Sequence, residues 1–297
     1  MSKLNRANKK ANIFQTLKLF FLLFEHSCVF AGKTTGGIGD ALMTTAQIRL
    51  IKNRFPQKKI VVETKYPELF VNNPYVYFAV NKHIMKTKRH IKRYYIIDSN
   101  HREHILKQVI KSTGLEVKKF DLQLDLFFSG EEIRWQKENL NFQYISICPS
   151  GKQDFCANRK EWGIDNFQKV VNIFSDMKFV QIGGRETPLL ENVIDKRGLP
   201  IRKSAGIIKQ SLFFLGLEGG LMHLAYAVHT PAIIIYGGFI LPESSAYPEN
   251  ITIYNKVDCS PCYISYQRMT DCPSMKCMKG ISPEFVIGKI TEMLERV

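Results

Sequence analysis

The sequence predicts a doubly wound α/β protein in two halves, and three observations carry that expectation. Residues 216–238 read GLEGGLMHLAYAVHTPAIIIYGG, a glycine turn followed by a helical repeat and a short apolar run. Short apolar runs alternate with helix-length segments on both sides of residue 140, the pattern of parallel strands joined by helices. At 297 residues the chain is long enough to bury two cores.

The N-terminal residues 1–10 are basic and polar, and residues 13–24 are apolar apart from Gln15, Thr16 and Lys18. No small-residue cleavage site follows, and the run is shorter than the ~20 residues a bilayer requires. Residues 1–26 therefore read as an amphipathic helix with Ile13, Leu17, Phe20, Phe21 and Phe24 on one side. It either packs on the first half or lies in a membrane interface, helped by the basic residues before it.

A first strand over residues 27–31 runs into Gly32-Lys33-Thr34-Thr35-Gly36-Gly37-Ile38-Gly39-Asp40. A phosphate loop needs a glycine five positions before its second glycine, where Ser27 stands here, and its lysine falls at the helix start. The P-loop reading is therefore rejected. The turn instead places Asp40 at the start of a helix whose buried side carries Ala41, Ile48, Ile51 and Phe55. There Asp40 is either a cap for orphan N–H groups or a carboxylate able to take a proton from a hydroxyl.

Residues 60–62 and 94–97 read as strands and 101–110 as a helix, with a basic loop over 82–93. The polar stretch 131–141 reads as a linker, which divides the chain into a first domain over 27–140 and a second over 141–297. In the second, 144–148 is a strand with Pro149-Ser150-Gly151-Lys152 turning after it, and Asp165 caps a helix over 165–174. A strand over 179–182 precedes a helix over 186–196, and 211–215 enters the Gly219-Gly220 turn as a strand. Leu221, Leu224, Ala225 and Val228 mark the helix that follows, Pro231 ends it, and 232–236 suits a strand buried on both faces. A helix N-terminus presents unpaired N–H groups and the positive dipole end, so this turn is a natural seat for a phosphate.

Lys and Arg number 42 against 27 Asp and Glu, a net charge of +15. That excess favours anionic partners in general, whether polyanion, membrane or phosphorylated substrate. The basic residues are spread along the chain and no recognition helix or RNA-binding strand signature is present, which argues against a nucleic-acid binder.

Four thiols, Cys259, Cys262, Cys272 and Cys277, fall within one proline-containing loop, spaced C-x2-C and then C-x4-C. They read either as ligands of a structural zinc or iron or as free thiols. A disulfide is disfavoured if the protein is cytoplasmic.

The ordered set Gly37-Ile38-Gly39-Asp40-Ala41-Leu42, Lys160-Glu161-Trp162, Gly219-Gly220-Leu221-Met222-His223-Leu224-Ala225, Thr230-Pro231 and Tyr236-Gly237 resembles the heptosyltransferase family, glycosyltransferase family 9. The resemblance covers the chain from about Cys28 to its end. It implies a GT-B fold, two Rossmann-like domains facing across a cleft, and an inverting transfer of a sugar from a nucleoside-diphosphate donor. The acceptor it implies is a lipopolysaccharide or related glycan, lipid-linked or protein-borne; the protein is expected in the cytoplasm, where the net charge suits an anionic acceptor at the cytoplasmic face of the inner membrane. It assigns Asp40 as general base and Lys160 as the cation that neutralises the departing diphosphate. Gly219, Gly220, Leu221 and His223 match the diphosphate-binding turn, with Ser150 and Gly151 approaching the same phosphates. His223 reads as a donor to the leaving group or as a packed residue. No metal or other cofactor is implied for the chemistry.

Glu218-Gly219 departs from the family's Asp followed by Ser or Thr, which leaves the donor sugar open. A non-catalytic nucleotide-sugar or glycan-binding protein on the same scaffold is the alternative; the presence of both Asp40 and Lys160 argues against it.

Overall fold

The computed structural model describes residues 28–34, 36–81, 90–91, 103–151, 153–263 and 269–297. The N-terminal segment 1–26, the strand expected at 94–97 and most of the basic run 82–93 lie outside the described residues.

Two parallel sheets organise the chain. The first holds β1 (Cys28–Thr34), β2 (Lys59–Thr64), β3 (Phe78–Val80) and β4 (His90–Ile91) in the order β3-β2-β1-β4. The second holds β5 (Ile145–Cys148), β6 (Phe179–Gln181), β7 (Ile194–Asp195), β8 (Phe214–Leu217), β9 (Ala232–Tyr236) and β10 (Ile251–Tyr254) in the order β10-β9-β8-β5-β6-β7. The second sheet therefore begins in its middle, winds out to β7, returns to β8 beside β5, and winds out the other way. A ligand crevice is expected beyond the carboxyl ends of the strands that flank this reversal.

Strand β9 shows why the sheet forms as it does. Ala232, Ile234 and Tyr236 face one apolar cluster and Ile233 and Ile235 the other, so all five residues are buried and the run has no polar face.

The helices are α1 (Ile38–Arg54), α2 (Ile105–Lys111), α3 (Gly130–Asn139), α4 (Gln153–Cys156), α5 (Ile164–Ile173), α6 (Ile201–Gln210), α7 (Gly220–Ala227), α8 (Pro242–Ser245), α9 (Lys276–Lys279) and α10 (Pro283–Leu294). Among the described residues no helix is long and apolar enough to cross a membrane. Helix α1 is buried almost all round from Gly39 to Ile48, because it packs against α2 and α7 as well as its own sheet. Phe55, expected on its buried side, is instead the C-cap residue and 38% exposed.

Three local expectations are corrected. Residues 131–141, read as a linker, carry helix α3: Ser129 Oγ accepts the Glu132 N–H (3.1 Å) and Glu132 Oε2 accepts the Ser129 N–H (2.8 Å). This reciprocal cap satisfies two orphan donors and starts the helix. Residues 186–196 are not helical; side chains take their backbone groups, with Gln181 bonding Pro188 O and Leu190 N and Gln168 bonding Glu191 N. Asp165 lies in the first turn of α5, and the N-cap is Gly163, whose φ of 101° few other residues adopt.

Arg202 of α6 ties the two halves together. Its guanidinium donates to the Glu68 carbonyl (2.9 Å), to the Phe127 carbonyl (2.6 Å) and to the Glu132 carboxylate (2.5 and 2.7 Å), and these bonds hold the Glu132 carboxyl below its ordinary pKa.

Candidate active site

The starts of α1 and α7 abut. A side-chain carbon at Gly220 would lie 3.1 Å from Ile38 Cβ and 3.6 Å from the Gly39 nitrogen, and one at Gly39 would strike the His223 ring. Glycine at both positions lets two helix N-termini, each with unpaired N–H groups, come together. Side-chain carbons at Gly37 and Gly219 would meet no atom within 4 Å, so both turns border open space. Gly219 has a φ of 153°, a conformation that disfavours any side chain there.

Asp40 sits in the first turn of α1, half-buried, and its Oδ2 accepts the Gly37 N–H at 2.6 Å. It is thus a helix cap whatever else it does. Glu218, at the end of β8, is 7% exposed and forms an ion pair with Lys160. Lys160 ends the 3-10 turn Ala157–Lys160, and its ammonium lies 5.0 Å from the centre of the Phe239 ring.

His223 is 4% exposed on α7, and its Nδ1 shares a 2.7 Å hydrogen bond with the Tyr247 hydroxyl. Tyr247 in turn stacks on Tyr226 at 3.6 Å. Burial drives the His223 pKa down to about 4, against the opposing fields of Glu218 and Asp40 and with His104 and Lys160 adding to the fall. Asp40, Lys160, Glu218 and His223 therefore share one electrostatic environment at the meeting of the two helix starts. Leu221 is half-buried in the first turn of α7 and brings no polar group.

Ser150 and Gly151 follow β5, beside the reversal of the second sheet. The Gly151 N–H, however, donates to Glu161 Oε1 at 2.9 Å, so Glu161 already holds one donor assigned to phosphate. Burial raises the Glu161 pKa, countered by its hydrogen bonds to Gly151 and Ser150. The sequence motifs assign no role to Glu161 or Tyr247. Glu161 stands inside the Lys-Glu-Trp triplet, whereas nothing local marks Tyr247, whose partner is 24 residues away.

Cys262 lies in the fields of Cys277 and Cys259, whereas Cys272 Sγ accepts the Met275 N–H (3.4 Å) and its backbone N–H donates to Asn158. Among the described residues, no three His, Cys, Asp or Glu side chains gather to hold a metal ion. As they stand, the thiols do not form a tetrathiolate centre.

His104, which caps α2 by accepting the Leu106 N–H, is also pushed by burial to about 4. Both histidines bind a proton in the unfolded chain near the ordinary 6.5 but in the native state only near 4. The unfolded state holds more protons between those values, so stability is complete above about pH 6.5 and falls as the pH drops toward 4. The loss is on the order of 2–3 kcal/mol per histidine. Melting curves from pH 7 to 4 should show this decline, and His223→Asn should remove part of it; an unchanged slope would contradict the burial assignment.

The fold is GT-B. No family model and no curated protein sequence matches the chain. Among solved structures it is similar to a glycosyltransferase family 9 protein of Veillonella parvula, with a TM-score of 0.69 at 14% identity over 92% of this chain and 98% of that one. It is equally similar in TM-score, 0.69, to the ADP-heptose lipopolysaccharide heptosyltransferase II of E. coli, at 14% identity over 91% and 99%. The iron-containing dodecameric glycosyltransferase TibC of enterotoxigenic E. coli also superposes at 0.69, with 18% identity over 91% of this chain and 77% of TibC. The resemblance read from the motifs thus extends to the fold over 91–92% of the chain.

Proposed function

We propose that the chain is an inverting glycosyltransferase that moves a heptose or related sugar from a nucleoside-diphosphate donor to a lipopolysaccharide, capsule, other glycan or protein acceptor. The observation that carries this reading is the meeting of Asp40, Lys160, Glu218 and His223 where two helix starts border open space. The fold shared with glycosyltransferases supports it, as does the name of one similar enzyme, which specifies ADP-heptose.

In this reading the second half, 141–297, binds the donor and the first half, 27–140, receives the acceptor. Asp40 takes the proton of the acceptor hydroxyl as that oxygen attacks the anomeric carbon, and the bond from that carbon to the diphosphate oxygen breaks with its electron pair leaving on phosphate. Lys160 and the free N–H groups at Gly219, Gly220 and Leu221 stabilise that charge, which develops only as the bond breaks. Glu218 is the carboxylate nearest the donor sugar, and its exchange of partners from Lys160 to sugar hydroxyls accompanies donor entry. His223 offers a further polar contact to the leaving group. The excess of basic residues suits an anionic acceptor at the cytoplasmic face of a membrane. No step here runs through the cysteines.

Titration with ADP-, UDP-, GDP- and CDP-sugars, followed by thermal shift, tests the reading. One nucleotide should raise the melting temperature by several degrees, since a ligand at a hundred times its Kd adds about 2.7 kcal/mol. If none does, the donor site is wrongly assigned.

A further inference from the structure

Lys160 is held from outside its own segment. The turn that carries it, Ala157–Lys160, begins at Ala157 with a φ of 50°, a left-handed conformation that costs a residue with a side chain on the order of 1–2 kcal/mol. Such a conformation persists only where the surroundings fix it, and here residues 270–272 do so. The Asn158 side chain makes a two-way bond with the backbone of Cys272: its Nδ2 donates to the Cys272 carbonyl at 3.2 Å, and its Oδ1 accepts the Cys272 N–H at 2.8 Å. The Asn158 N–H donates to Asp271 Oδ1 at 3.1 Å, and Arg159 Nε donates to the Thr270 carbonyl at 2.8 Å. These partners are over a hundred residues apart in sequence, so the bonds form only in the folded chain.

A second route converges on the same ammonium. The Cys262 N–H donates to the Gly238 carbonyl (2.9 Å) and the Tyr263 N–H to the Phe239 carbonyl (3.1 Å). The Tyr263 ring meets Phe239 edge-on at 5.2 Å, and Phe239 presents its ring to Lys160. The cysteine-bearing stretch therefore backs Lys160 from two sides.

We propose that Asn158 is a positioning residue for Lys160, and that its clasp on residues 270–272 sets how well the site binds a nucleoside diphosphate. This rests on the donor-site reading above. Asn158 itself touches no ligand. Its effect is to hold the turn so that the ammonium, released from Glu218, meets the diphosphate without the cost of ordering four residues. Thiol chemistry that disturbs the stretch around Cys272 would then reach the donor site through this clasp.

The test is a double-mutant cycle read by calorimetry with ADP, UDP, GDP and CDP, carrying forward whichever binds the wild type most tightly. Asn158→Ala should weaken that nucleotide about five- to tenfold in the wild-type background and not at all in Lys160→Ala, because its effect passes through the lysine. Asp271→Ala, a change at an exposed position outside the lysine's segment, should weaken it in the same direction by less. An equal loss from Asn158→Ala in both backgrounds, as a merely structural role would give, overturns the inference, and so does unchanged affinity in both Asn158→Ala and Asp271→Ala. If no nucleotide binds the wild type, or Lys160→Ala binds it normally, the donor-site reading fails and takes the inference with it.

Discussion

Asp40→Asn is expected to slow sugar transfer by a factor on the order of 10²–10⁴, the usual worth of a general base, while nucleotide affinity and melting temperature stay near those of the wild type. The asparagine separates two duties of one carboxylate. Its amide oxygen can still accept the Gly37 N–H that Asp40 Oδ2 now accepts, so the cap on α1 survives. It cannot take a proton from an attacking hydroxyl. Asp40→Ala should lose both duties, with a stability cost of about 1 kcal/mol in addition to the lost turnover. Rates measured with the donor found by titration decide the matter: wild-type turnover in Asp40→Asn would leave Asp40 as a cap alone.

Lys160→Ala should weaken nucleotide binding at least tenfold and also destabilise the fold, and the two effects can be told apart. The partner, Glu218, is 7% exposed, so removing the ammonium leaves a buried carboxylate unpaired, at a cost of roughly 3–5 kcal/mol less whatever its protonation recovers. Adding Glu218→Gln removes the stranded charge and should restore most of the melting temperature. It supplies no cation, so the affinity should stay low. Were the double variant to regain nucleotide binding as well, the lysine would be serving the fold rather than the diphosphate.

Much of the fold is encoded locally. The fully apolar runs at 145–148 and 232–236 and the glycine turn at 219–220 identify themselves, because strand burial and backbone freedom depend on residues next to each other in the chain. The helix α3 was also legible, in Ser129 and Glu132 three residues apart, although its polar composition suggested a linker. Residues 186–196 were not legible: their helical appearance is overridden by Gln181 and Gln168, which reach in from other elements to bind the backbone.

The sequence by itself determined the alternation of strands and helices, the positions of the glycine turns and the short list of polar residues that end up at them. Only the tertiary structure decided what those residues meet. That α1 and α7 abut through Gly39 and Gly220, that Lys160 is paired with Glu218, that Glu161 holds the Gly151 amide, and that Asn158 clasps Cys272 all follow from how separate elements pack. The physical reason is range. Periodicity and turn chemistry act over a few residues, whereas a buried ion pair or a two-way amide bond depends on bringing distant segments to within about 3 Å, and packing alone sets that distance.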